Sequence, residues 1–138
     1  FSYSQHDRAH LDAFLTHLSA LRRNGKIQPW DDKQLKGGEE WDETIKQQLA
    51  EADIIVLLLS PNFIATDYIW DVEIKAAMER HARGDVRVVP VVVRPCDWKD
   101  LSFSKLNALP SKAKPVVDYA NADTAWLEVV NGIKAILD

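Results

Sequence analysis

One carboxylate in this chain stands where a helix would not ordinarily put it. In the stretch SPNFIATDYIWDVEIKAAMERH, from Ser60 to His81, apolar residues recur at helical spacing. At about 100° per residue, Ile69, Trp70, Val72, Ala76 and Ala77 share one arc. Glu73 falls inside that arc, while Asp71, Lys75 and Glu79 mark the solvent side. The positions three and four residues away are Ile69, Trp70, Ala76 and Ala77, so no basic neighbour on the same face accounts for it as an ion pair. Two readings stay open. Glu73 is either a working carboxylate beside an apolar cleft, or a glutamate at the core's edge bridged to Arg80 or to another helix.

Other chemistries find no support. G-x-G-x-x-G and G-x-x-x-x-G-K-[ST] are both missing, so the common phosphate cradles are not expected. A phosphoacceptor site of the receiver type would need an acidic pair after the first strand and an aspartate after the third. Ser4-Gln5-His6 and Ser60 occupy those places. His6, His10, His17 and Cys96 lack the spacing of metal ligands, so no metal site is expected. The net charge of −4 gives no reason to expect nucleic acid or an anionic membrane as a partner. No apolar run approaches the roughly 20 residues of a membrane span. The single cysteine excludes an internal disulfide and fits a reducing, cytoplasmic setting.

The elements that must position Glu73 alternate along the chain. The length of 138 residues suits one domain, and the opening FSYS reads as the tail of a clipped first strand, as in a domain excised from a longer protein. A helix is expected over about residues 7–24, with Leu11, Phe14, Leu15, Leu18 and Leu21 as its core stripe and Asn24-Gly25 as its stop. KIQPW (26–30) reads as an edge strand because Pro29 cannot donate to a ladder. DDKQLKGGEEW (31–41) is a loop, and residues 39–52 form a helix. DIIVLLLS (53–60) and VRVVPVVVRP (86–95) are continuous apolar runs, as in strands buried on both faces of a parallel sheet. Between them lies the helix of Glu73, capped at Thr66 or Asp67 and stopped at Gly84. Residues 97–114 read mostly as loop, PVVDY (115–119) as the last strand and 123–137 as a closing helix. Trp98 and Trp126 read as packing residues.

This alternation predicts an α/β fold, flavodoxin-like, with a five-stranded parallel sheet in the order 2-1-3-4-5 and helices on both faces. In such a sheet the ligand crevice lies at the carboxyl ends of strands one and three. The loops there are Ser4–Asp7 and Ser60–Thr66, and the second leads into the helix of Glu73.

The whole chain, 1–138, resembles a Toll/interleukin-1 receptor (TIR) domain of bacterial type. The resemblance rests on FSYS, on IQPWDDKQLKGGEEWDETIKQQLAEADIIVLLLSPNFIATDYIWDVEI, on VRVVPVVVRPCDW and on PVVDYANADTAWLEVVNGIKAIL. It implies the same flavodoxin-like sheet. Enzymatic members of that family cleave NAD between nicotinamide and ribose, with a glutamate on the third helix, and the matching residue is Glu73. NAD would be a substrate and no cofactor is implied. The resemblance further implies a pocket from Tyr3 and Ser4 at the end of strand one, Asp31 after strand two, and Gly38 and Trp41 in a mobile loop that closes over the base. Asp31 reads equally as a turn cap, and Trp41 equally as the first core residue of its helix. Many active members place an aromatic four residues before the glutamate. Ile69 is there in this chain, and Trp70, at three, is left as either a stacking residue or a core residue. The family also implies assembly of TIR domains side by side, with 31–41 as the contact surface. Some members act by such contacts alone, without catalysis.

Overall fold

The structure, a computed structural model, describes all residues from Phe1 to Asp138. Two strands form the regular part of the sheet: β1 (Ile54–Leu59) and β2 (Arg87–Val92), paired in parallel from Ile54 opposite Arg87 to Leu59 opposite Val92. Single parallel bridges extend the sheet on both sides, Ser2 against Leu57 and Val91 against Leu109. The helices are α1 (Arg8–His17), α2 (Ser19–Arg23), α3 (Trp41–Glu51), α4 (Pro61–Ala65), α5 (Lys75–Ala82) and α6 (Ala122–Leu137). None of them is long and apolar enough to cross a membrane.

The apolar runs of β1 and β2 are continuous because helices cover both faces. Val56, Leu58, Val89 and Val91 pack with Leu11 and Phe14 of α1 and with Trp126 and Val129 of α6. Ile55, Leu57, Leu59, Val88 and Val92 point the other way, onto α3, α4, α5 and the 98–108 segment. Strand periodicity of two thus sorts one apolar run into two cores.

Several expected elements take another form. Residues 27–30 form no strand. Pro29 has no N–H to offer, and Trp30 contributes only its carbonyl, which accepts from the Phe1 amino group at 3.4 Å. Residues 115–119 are also not a strand but a tight turn at Val116–Asp118. The edge beside β2 is taken instead by Leu109, whose N–H donates to Pro90 O at 2.9 Å and whose carbonyl accepts from Val92 N at 2.8 Å. The five-stranded ladder is thus reduced to two strands and two bridges. The first helix is broken at Leu18 and starts from a 3₁₀ turn over Gln5–Asp7. Gly25 and Gly84 lie at φ +69° and +74° and end their helices as expected.

The largest local departure surrounds Glu73. Ser60 caps the short α4 by accepting from Phe63 N at 3.0 Å. The hydroxyl of Thr66, an expected cap, donates back to Asn62 O at 2.7 Å. The chain then winds as a π-helix over Ile69–Ile74 before continuing as α5. Ile69 and Ile74, five apart, are both buried, at 2% and 4% exposure. A wheel drawn at α-helical pitch puts Ile74 off the core arc, whereas a turn closed by i→i+5 bonds stacks it over Ile69.

Candidate active site

Glu73 lies in the π-helical turn and is half-buried on the α5 side of the sheet. Burial pushes its carboxyl up to about 7. The Ser2 hydroxyl favours the charged form, and Asp32 opposes it. No ion pair ties Glu73 down within the protein, and the Ser2 hydroxyl is the one side-chain donor close enough to act on it. Arg80, the residue that could have bridged it, is committed elsewhere. Its Nη1 donates to Leu49 O at 2.7 Å and Ala52 O at 2.6 Å, and its Nη2 to Asp85 O at 2.9 Å.

An aromatic step stands beside this carboxyl. Tyr68, just before the π turn, donates its hydroxyl to Asp42 at 2.8 Å. Burial, that bond and the nearby Glu73 all raise the phenol's affinity for its proton. The ring of Trp41 lies 4.6 Å from that of Tyr68, tilted by 39°, and Trp41 is 50% exposed. Trp41 is therefore the first residue of α3 and also a partly bare aromatic surface against Tyr68. Tyr68 was not singled out from the sequence, although its place five residues before Glu73 is one π turn away.

The remaining expected site residues separate into groups. Tyr3 is buried in the core beneath α1 and α6 and faces away from Glu73. Its hydroxyl donates to Asp32 and accepts from Arg8 Nη1 at 2.9 Å. Strand alternation places Ser2, not Tyr3, on the face of Glu73, because Ser2 pairs with Leu57. Ser4 is buried and caps the Gln5–Asp7 turn by accepting from His6 N. Asp31, 7% exposed, accepts from Arg8 Nη1 at 2.8 Å and Lys33 N at 2.9 Å, and forms a capping box with Gln34. Gly38 sits in the exposed loop at φ +88°, with nothing within 4 Å of where a Cβ would be. Trp70 is turned into the packing cluster: its Nε1 donates to Ile64 O at 2.6 Å and its ring stacks on Phe103 at 5.8 Å.

At the carboxyl ends of the strands, where the ligand crevice is expected, several polar side chains bond one another. Asp7, 1% exposed, accepts from the Ser60 hydroxyl and from Arg94 Nε at 3.0 Å. Arg94 also reaches Asn62. Two surface hollows, of about 640 and 380 Å³, share Arg22, Pro29 and Gln34 beside α1 and α2, and neither includes Glu73. No group of three His, Cys, Asp or Glu residues is arranged to hold a metal ion.

Fold and site together define an α/β domain with a parallel sheet between helices and an unpaired carboxyl beside an aromatic step. The chain belongs to the TIR domain family, whose model matches residues 1–129. It is 40% identical over 134 residues to the uncharacterized protein y4lF of Sinorhizobium fredii, covering 97% of this chain. That alignment takes in 42% of y4lF, so the chain spans less than half of that relative. Its fold matches the TIR domain of the Toll-related receptor TRR-2 from Hydra magnipapillata with a TM-score of 0.68, at 18% identity, over 96% of this chain and 94% of that one.

Proposed function

We propose that this domain is an NAD glycohydrolase in which Glu73 is the catalytic residue. The observation that carries the reading is a half-buried glutamate with no ion-pair partner, beside the hydroxyl of Ser2 and one π turn from Tyr68, whose ring meets the exposed ring of Trp41. Glycoside hydrolysis ordinarily takes two carboxyl groups, one of them to protonate the leaving oxygen. The nicotinamide of NAD is already cationic and leaves as a neutral base, so one carboxylate suffices. The bond from C1′ to the pyridinium nitrogen breaks with its electron pair going to the nitrogen. Glu73, as carboxylate, accepts from the ribose hydroxyls and its charge stabilises the oxocarbenium-like transition state. Water attacks C1′ and gives up a proton, leaving nicotinamide and ADP-ribose. Attack by a group of the ADP-ribose itself gives a cyclic isomer. NAD is substrate, and the chemistry needs no cofactor or metal.

Trp41 supplies a face on which the nicotinamide or adenine ring stacks. The loop before it, with Gly38 at positive φ, can close over that ring. The segment 31–41, exposed over most of its length beyond the buried Asp31, is the surface by which copies of the domain would assemble, and assembly would set the loop in its closed form. By analogy with the family, such an activity would serve antiphage defence or immune-type signalling in the cytoplasm. A non-catalytic interaction module is the second reading. It is favoured by the bare ring of Trp41 at the loop's end. Concentrated protein incubated with NAD separates the two. Free nicotinamide that disappears in Glu73→Gln, with an unchanged circular dichroism spectrum, supports the enzyme. Equal release by the variant refutes it.

A further inference from the structure

Ser2 has a feature unique in this molecule. Its side chain is 1% exposed, and its Oγ is the one buried side-chain polar atom without a hydrogen-bond partner. Such orphans call for an explanation, because a buried hydroxyl that gives up water without a replacement is destabilising. The backbone leaves Ser2 no freedom to seek one. Its N–H donates to Val56 O at 2.8 Å and its carbonyl accepts from Leu58 N at 2.9 Å. The bridge to Leu57 fixes its side chain on the face of β1 that looks toward the π turn.

The groups around Glu73 are few. From the first segment comes Ser2, from the 31–34 turn comes Asp32, and from its own helix comes Tyr68. The Tyr68 hydroxyl is committed to Asp42. Asp32 offers no donor as a carboxylate. Ser2 is therefore the uncommitted hydroxyl in reach of Glu73.

We propose that Ser2 is a positioning residue for Glu73: its Oγ–H turns to the carboxylate and holds one carboxylate oxygen, leaving the other free for a ribose hydroxyl. This deepens the glycohydrolase reading and rests on it for its catalytic consequence, though not for the hydrogen bond itself. With the carboxyl protonated, the proton that replaces the negative charge weakens the bond, and Ser2 Oγ is left as the structure has it. Ionisation and orientation of Glu73 are then one event.

Two measurements test this. The first follows the ¹³C shift of the Glu73 carboxyl with pH, assigned by its loss in Glu73→Gln, and needs no substrate. Ser2→Ala is expected to raise the titration midpoint by about half a unit or more, since a hydrogen bond to the charged form favours that form. Ser2→Thr, which keeps the hydroxyl, stays near the wild-type value. A midpoint unchanged in Ser2→Ala overturns the proposal. The second measurement is nicotinamide release. Ser2→Ala is expected to lower kcat about tenfold with little change in KM, and to move the rising limb of the pH profile by the same amount as the titration. Wild-type release with an unmoved titration leaves the glycohydrolase reading standing and Ser2 without its role. A moved titration with no release from the wild type keeps the Ser2–Glu73 bond and removes the enzyme.

Discussion

Two acidic side chains, Asp7 and Glu73, are held near the same sheet under opposite conditions. Asp7 is 1% exposed and accepts from two donors, Ser60 and Arg94, and Arg94 is itself held by the Asn62 side-chain oxygen. Glu73 is less buried, yet burial dominates its titration because no cation within ion-pair distance answers it. A carboxylate whose lone pairs are all met by the protein ties segments together. One that the protein leaves unmet is free to meet a ligand. Position at the carboxyl ends of the strands would have pointed to the Asp7 group as the site. Hydrogen-bond satisfaction points to Glu73.

That contrast can be broken most directly at Glu73. Glu73→Gln is expected to reduce nicotinamide release by a hundredfold or more, roughly the loss seen when a transition-state charge partner is removed. The melting temperature should hold or rise, because an acid destabilised by burial is replaced by a neutral amide. Equal activity of the variant would put the two carboxylates on the same footing.

At Asp7 the effect should fall on stability instead. Arg94→Met leaves a buried carboxylate with only Ser60, and a loss of about 3 kcal/mol is expected, at the low end for a broken buried pair because Arg94 is part exposed. Urea unfolding measures it. Nicotinamide release per folded molecule should change little.

pH should then separate the two sites. Glu73 titrates near 7 in the fold and near its ordinary carboxylate value in the unfolded chain. Between those values the folded state holds the extra proton. Its contribution to stability is complete below the unfolded pKa and is lost as pH rises through about 7. Activity should do the reverse, with kcat/KM climbing through the same range as the carboxylate forms. Both trends should vanish in Glu73→Gln, and a stability slope that survives there would assign the proton to another group.

The smallest expected effect is at the aromatic step. Trp41→Ala removes a half-exposed ring and its contact with Tyr68, for about 1 kcal/mol of stability. KM for NAD should rise several-fold while the Glu73 titration stays in place. A variant that binds NAD as well as the wild type would take Trp41 out of the pocket.

Much of this was legible in the sequence. The runs at 53–60 and 86–95 could only be doubly covered strands, and the closing helix begins within a residue of its expected start, at the Asn121 cap. Glu73 stood out because apolar neighbours flanked it at helical spacing. What escaped has specific causes. The first segment is too short to phase from its sequence, and the bridge to Leu57 gives the face of Glu73 to Ser2 rather than to Tyr3. Asp31 was open between ligand contact and turn cap, and Arg8, from a distant helix, engages it together with its capping box. The edge at Leu109 rests on one bridge, too little for any periodic signal, while Pro115 and the Val116–Asp118 turn break what looked like a strand. Ile74 was missed because pitch was assumed constant along the helix.

The coil around Glu73 is wound wider than its neighbours, and the chain there carries one residue more than a regular turn would need. Removing a single residue between Ile69 and Glu73 would let the coil close to ordinary α pitch, with Ile74 four places after Ile69 and still stacked over it. The aliphatic residues that anchor α5 would keep their phase, and only the turn that carries the acid would be redrawn. The surplus residue therefore sets the acid's direction without disturbing the packing that holds the helix.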